Sequence, residues 1–234
     1  MAQRRSTATV RRRIGSLSSL YKLLDKHDPT RAVAVVLALK RMHRQQGRGQ
    51  VQAVPLTQDI LNKLVSVCSQ DLAGQRNLVL LHLGHETMRR RAELCAFRFD
   101  DLQVLATGQA VLNLRFSKTD QYGDGKLIAI SPMLASLINA WGERIGRQGY
   151  ILRNLHSHNA GVGHKLSPGS INQILVKLQN RAGLTLERNL SGHSFRVGAA
   201  VDMLLAGETM ERIMLKGGWK SESTVMRYLR AMVV

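Results

Sequence analysis

The sequence predicts a mainly α-helical protein with a small antiparallel β-sheet, an α+β fold. Three observations carry this. Apolar residues recur at helical spacing in most long segments, as at Ile60, Leu61, Leu64, Val65 and Cys68. Prolines stand where a first helical turn tolerates them, at Pro29, Pro132 and Pro168. Residues 102–130 instead read as short strands, LQVL, AVLNLRFS and KLIAI, with strong turn chemistry in TDQYGDG between the last two.

Taken in order, a helix is expected from about Arg11 to Leu24, and a second from the Asp28-Pro29 cap to about Gln46. Gly47 to Leu56, GRGQVQAVPL, has linker composition and divides the chain into residues 1–50 and 51–234. Two helices cannot bury both their faces, so the first segment must lean on something else. Thr57 should cap a helix to about Ser69, and another should run from Leu72 to Gly84. In HETMRRRAELCAFRFDDL, residues 85–102, Leu94 and Phe97 give a further helix its buried side. A helix from Pro132 places Leu134, Leu137, Ile138 and Trp141 in the core. YIL at 150–152 suits a short strand, and the helix from Pro168 to about Ala182 buries Ile171, Ile174, Leu175 and Leu178.

Hydrophobic residues at 44% suffice for a core, whereas 34 Lys and Arg against 16 Asp and Glu leave a net charge of +18. Such a balance points to a polyanion, with nucleic acid the first candidate. Arg4, Arg5, Arg11, Arg12 and Arg13 form a basic arm suited to DNA phosphates. Arg41, Arg44 and Arg48 collect at the end of the second helix. The opening residues are polar and basic, and the longest apolar run, Ala32 to Leu39, is too short to span a bilayer. A soluble, cytoplasmic protein is expected, with Cys68 and Cys95 reduced and buried. His156, His158 and His164 share one loop but lack acidic or thiol partners at ligand spacing, so no metal is expected.

The C-terminal stretch carries the chemistry. His193 and Arg196 stand three apart, which puts both on one side of a helix that Ser191 can cap. Val197, Ala200, Val201, Leu204 and Leu205 supply that helix with an apolar face. Trp219 follows two glycines, and Tyr228 lies nine residues on, in a short helix opened by Ser221. A phenol ionises near pH 10, so about one in a thousand is an anion at pH 7. It needs help as a nucleophile, and a phosphodiester under attack needs its developing charge neutralised. Arginines match two phosphate oxygens with a planar fork.

GHSFR, the GGW step and VMRYLR, in this order and spacing, resemble the catalytic C-terminus of the tyrosine recombinases. The family pattern Arg-x-x-Glu-Leu falls on Arg90, Glu93 and Leu94, selecting Arg90 over Arg89 and Arg91. The family's catalytic lysine sits on a β-hairpin, which favours Lys118 in SKT over Lys126. The resemblance implies that Arg90 and Arg196 stabilise a pentacoordinate phosphorus, and that Lys118 protonates the departing 5′ oxygen. It further implies that His193 assists Tyr228, that Trp219 donates its indole N–H or braces the nucleophile helix, and that Glu93 orients a neighbouring group. Tyr228 would form a 3′-phosphotyrosyl link, resolved by a second strand without metal or ATP. Four protomers would act on two specific sites in double-stranded DNA, at the nucleoid of a prokaryotic cell.

Two departures leave alternatives open. Residues 7–50 resemble only the last part of the family's helical core-binding domain. Six residues follow Tyr228 where relatives carry a further helix. A relative that binds or cleaves DNA without completing recombination is one alternative, and a type IB topoisomerase-like enzyme is another.

Overall fold

The computed structural model describes residues 6–47, 52–116, 125–156 and 161–229, in two compact units, Met1–Gln52 and Ala53–Val234. Arg4, Arg5, Arg48, Lys118 and His158 fall outside the described residues.

The first unit is a helical hairpin of α1 (Thr7–Leu23) and α2 (Val33–Gln46), joined through a 3-10 turn, Pro29–Arg31. Ser6 caps α1 by accepting the Thr9 amide. Asp28 was expected to open α2 but caps only the turn, accepting from the Thr30 amide at 2.9 Å and from the Ser18 hydroxyl at 2.5 Å. The chain therefore restarts at Ala32 before α2, which has no side-chain cap. Neither helix holds a fully buried residue. Arg11, Arg12, Arg13, Arg41 and Arg44 are spread along this unit, all five exposed.

The second unit is mainly helical, with a small three-stranded sheet among the described residues. It comprises α3 (Gln58–Ser66), α4 (Leu72–Thr87), a single turn α5 (Arg91–Leu94), strands β1 (Leu102–Val104), β2 (Ala110–Leu114) and β3 (Lys126–Ala129), then α6 (Pro132–Ile145), α7 (Pro168–Arg181), α8 (Gly192–Leu205), α9 (Met210–Gly217) and α10 (Glu222–Leu229). The strands pair antiparallel in sequence order, with Leu102 opposite Leu112 and Leu112 opposite Ile128. Leu112 and Ile128 turn inward and join the core, which also takes Leu80, Phe97, Trp141, Leu175 and Phe195. The buried Trp141 satisfies its indole by donating to the Ile151 carbonyl at 2.8 Å.

The element α4 packs against α3, α6 and α8. Its approach to α8 depends on a missing side chain, since a Cβ on Gly84 would sit 2.7 Å from the Phe195 ring; on α8 itself, a Cβ on Gly198 would lie only 1.8 Å from the carbonyl oxygen of Leu56, just before α3. These close approaches set the position of α8, and with it the site.

Three further expectations need correction. Thr57 stands at the start of α3 without a side-chain bond; the Asp202 carboxylate of α8 takes the Gln58 amide instead, at 2.9 Å. YIL forms no strand of the sheet, only an isolated bridge between Tyr150 and Arg98. The segment around Arg90 is one helical turn rather than a longer helix, because α4 continues to Thr87 and Met88 then adopts a left-handed conformation, φ 54°.

Candidate active site

The site is assembled from three parts of the second unit, beginning with the first turns of α8. Ser191 precedes this helix and donates its amide to the Ser194 hydroxyl at 3.0 Å, while Gly192 donates to Asn172 Oδ1 of α7 at 3.0 Å. The helix start is thus tied to α7, with His193 and Arg196 facing the same way. Arg196 is buried, and its Nη1 donates to the Met88 carbonyl at 2.5 Å. The turn at Met88 is what aims this carbonyl at the guanidinium.

The arginine segment follows directly. Arg90 is the N-cap of α5, and the buried Glu93 accepts from both its amide, at 3.0 Å, and its Nη1, at 2.9 Å. Glu93 therefore orients Arg90 by a charge-assisted pair of bonds. Beside it lies a third guanidinium that sequence reasoning passed over. Arg89 is buried, donates Nε to the Thr87 carbonyl at 2.7 Å and donates Nη2 to the Lys216 carbonyl of α9.

The aromatic part comes from α9 and α10. Gly218 ends α9 with φ 67°, a conformation that favours glycine, and a Cβ on Gly217 would lie 1.9 Å from the Trp219 ring. Both glycines are needed to fold the indole back. Its ring then stacks under the Arg196 guanidinium, 4.5 Å from Cζ to the ring centre. Val225 and Leu229 anchor α10 in a small core with Ala200, Val201, Ile213 and Trp219, leaving Tyr228 half-buried at its edge. The Tyr228 ring lies 5.0 Å from that of His193, edge-on, and 6.0 Å from that of Trp219.

Arg90, Glu93, His193, Arg196, Trp219 and Tyr228 thus share one neighbourhood. Its electrostatics are those of a site suited to an anion. Burial, then the nearby Arg90 and Arg89, push Arg196 down to about 10, so it remains cationic at neutral pH. Burial, then Arg196, Arg90 and Arg91, hold His193 below its ordinary value of 6.5. A neutral imidazole beside a phenol can accept its proton. A phosphate entering the site would relieve the mutual repulsion of the guanidiniums.

Lys126 begins β3 and donates Nζ to the Leu215 carbonyl at 2.9 Å. Burial and Arg89 lower its pKa. His85 pairs with Asp202 at 2.8 Å and braces α4 against α8, an interaction with no local sequence signal. Among the described residues, no group of His, Cys, Asp and Glu is placed to hold a metal. His164 instead packs edge-on against Tyr150, with Lys165 Nζ over the same ring at 4.3 Å. Among the described residues, no helix is long and apolar enough to cross a membrane.

Residues 55–233 match the phage integrase family. The chain is similar to the recombinase Cre of Escherichia phage P1, 25% identical over 243 residues, covering 95% of this chain and 70% of that protein. It is also similar to an integrase/recombinase XerD homologue of Selenomonas ruminantium, 28% identical over 232 residues, covering 94% of this chain and 67% of that one. Among solved structures, XerA recombinase is similar with a TM-score of 0.58 at 18% identity, over 97% of this chain and 76% of that one. A λ integrase dimer bound to a COC′ core site reaches 0.62 at 17% identity, over 95% of this chain and 59% of that one. XerH bound to a palindromic difH substrate also reaches 0.62, at 16% identity over 85% of this chain and 62% of that one. These structures show a shared fold, and the chain spans about three fifths of λ integrase and XerH. With the family match covering most of its length, the chain belongs to the phage integrase family of tyrosine recombinases, enzymes that cleave and rejoin DNA.

Proposed function

We propose that this chain is a site-specific DNA recombinase or integrase that cleaves and rejoins DNA through a 3′-phosphotyrosyl intermediate. The observation that carries the reading is the placement of Tyr228 against His193 and Trp219, with Arg196 stacked on the same indole. In this reading Arg90 and Arg196 hold the scissile phosphate, and Glu93 fixes the fork of Arg90. The phenol of Tyr228 attacks phosphorus as neutral His193 receives its proton. The bond to the 5′ oxygen breaks, and a lysine supplies the proton that oxygen needs. Trp219 braces Tyr228 and Arg196 together. The free 5′ hydroxyl of a second strand then displaces the phenol, so the bond energy is conserved and neither ATP nor a divalent metal enters.

Lys118 is the proposed acid. Lys126 is the alternative, but its ammonium is already engaged by the Leu215 carbonyl. Residues 1–50 are proposed to be a basic arm and part of a helical DNA clamp. In it Arg11, Arg12, Arg13, Arg41 and Arg44 meet phosphates. The working form is a homotetramer on paired specific sites in double-stranded DNA, in the cytoplasm at the nucleoid.

Nicked fragments of genomic DNA, in which the cleaved strand loses its short end, will trap the protein covalently. Trapping in EDTA without nucleotide, at a small set of recurring sequences, is the expected result. Trapping spread evenly over all sequences would favour a topoisomerase-like relaxing enzyme, and no trapping would contradict the chemistry.

A further inference from the structure

Arg89 is not part of the phosphate-binding pair, yet its guanidinium joins the two segments that build the site. It leaves the chain between Met88, whose carbonyl holds Arg196, and Arg90. It is 3% exposed, its Nε is spent on Thr87, and its Nη2 reaches the Lys216 carbonyl. Lys216 is in the last turn of α9, where carbonyls lack helical partners and a cation is favoured. Nη1 lies 3.1 Å from where a Cβ on Gly218 would sit, so the guanidinium also fills the space under the left-handed turn. The next residue is Trp219, on which both Arg196 and Tyr228 pack.

We infer that Arg89 is a positioning residue: it clamps the end of α9 and thereby sets the indole of Trp219, and through it the phenol of Tyr228, relative to the arginine pair. The clamp needs two donor directions at once, toward Thr87 and toward Lys216. A planar guanidinium donates from two nitrogens held in a rigid fork, whereas the donors of an ammonium radiate from one atom on a flexible stem. The Arg89 guanidinium is buried, and two of its nitrogens are engaged by the Thr87 and Lys216 carbonyls.

This inference rests on the proposed chemistry, and its test uses the full chain with a nicked substrate recovered from trapping. Arg89→Gln is expected to leave the Kd for DNA within about threefold. Covalent complex formation in a single turnover should slow by about 100-fold, as expected for a misplaced reacting group. Arg89→Lys should restore little of the rate. The decisive arm is the pair with Trp219→Ala: Arg89→Gln added to that variant should cost under about threefold, because the indole it positions is gone. A general loss of stability would instead lower the reactive fraction in both backgrounds. Should Arg89→Gln not fold, Arg89→Lys goes through the same cycle. A wild-type rate in the Arg89 variant, or losses that multiply in the double variant, would overturn the clamp. Absence of trapping by the unaltered chain would sink the proposed chemistry instead.

Discussion

The Arg196 guanidinium lies over the indole of Trp219, 4.5 Å from its ring centre, while Nη1 of the same group donates to the Met88 carbonyl. One side chain is therefore fixed from two distant segments, the turn after α4 and the turn after α9. The site has little freedom: moving either turn moves the cation, the indole and the phenol together.

Trp219 is expected to act as a brace before anything else. Trp219→Ala removes a mostly buried ring from the small core around Ala200, Ile213 and Val225, and should cost about 3 kcal/mol of stability. Trp219→Phe keeps an aromatic face under Arg196, smaller than the indole, and loses the N–H. Thermal melting should separate the two by several degrees. Single-turnover trapping should fall far more for Ala than for Phe; equal losses would instead assign the role to the N–H.

The two lysines can be separated by the leaving group. A substrate with sulfur in place of the bridging 5′ oxygen needs no proton on departure, since a thiolate is a far better leaving group. Lys118→Ala should be slow on ordinary DNA and near normal on the sulfur substrate. Lys126→Ala should show a smaller defect that sulfur does not rescue, because its ammonium ties β3 to the Leu215 carbonyl of α9. Rescue of Lys126→Ala alone would reverse the assignment.

Acid should destabilise the free protein through its partly buried histidines. His82, His85 and His193 are each held below the ordinary 6.5, burial being the first cause in every case. In the unfolded chain they take up protons near 6.5, and in the folded chain only at lower pH. Stability is therefore fully present above 6.5 and falls as pH drops toward the lowered folded values. The slope reaches at most about 1.4 kcal/mol per pH unit for each histidine. Denaturant titrations between about pH 7 and pH 5 should show a shallower decline in His193→Gln. An unchanged decline would place the effect on other groups.

The basic arm should contribute affinity through phosphates alone. Replacing Arg11, Arg12 and Arg13 by alanine should weaken binding to all DNA sequences alike. The slope of log K against log salt should shrink by about 0.9 for each phosphate no longer neutralised. Selectivity between sites should stay put; a change in preferred sequence would instead give the arm a reading role.

Much of this molecule is legible in its sequence because the signals are local. Period and cap residues place α6, α7 and α8, and the turn chemistry after Phe116 separates β2 from β3. The spacing of His193 and Arg196 puts both on one helix side, and the resemblance to tyrosine recombinases implies that Trp219 and Tyr228 join them. What cannot be read depends on residues far apart in the chain. Arg89 escapes notice because the family spacing selects its neighbour, and its partner at Lys216 lies 127 residues away. Asp202 replaces Thr57 at the start of α3 from a distance of 144 residues. The early end of the expected helix at 85–102 is hidden for another reason. A methionine in the left-handed region gives no sequence warning, and here Arg196 bonds its carbonyl.

The proposed chemistry stands or falls on which atom takes the phosphate. Covalent complexes trapped on nicked DNA should be digested with protease and nuclease, and the nucleotide-bearing peptide sequenced by mass spectrometry. The expected result is a phosphodiester on Tyr228, absent from Tyr228→Phe while that variant still binds DNA. A nucleotide on any other residue, or undiminished trapping by Tyr228→Phe, would contradict it.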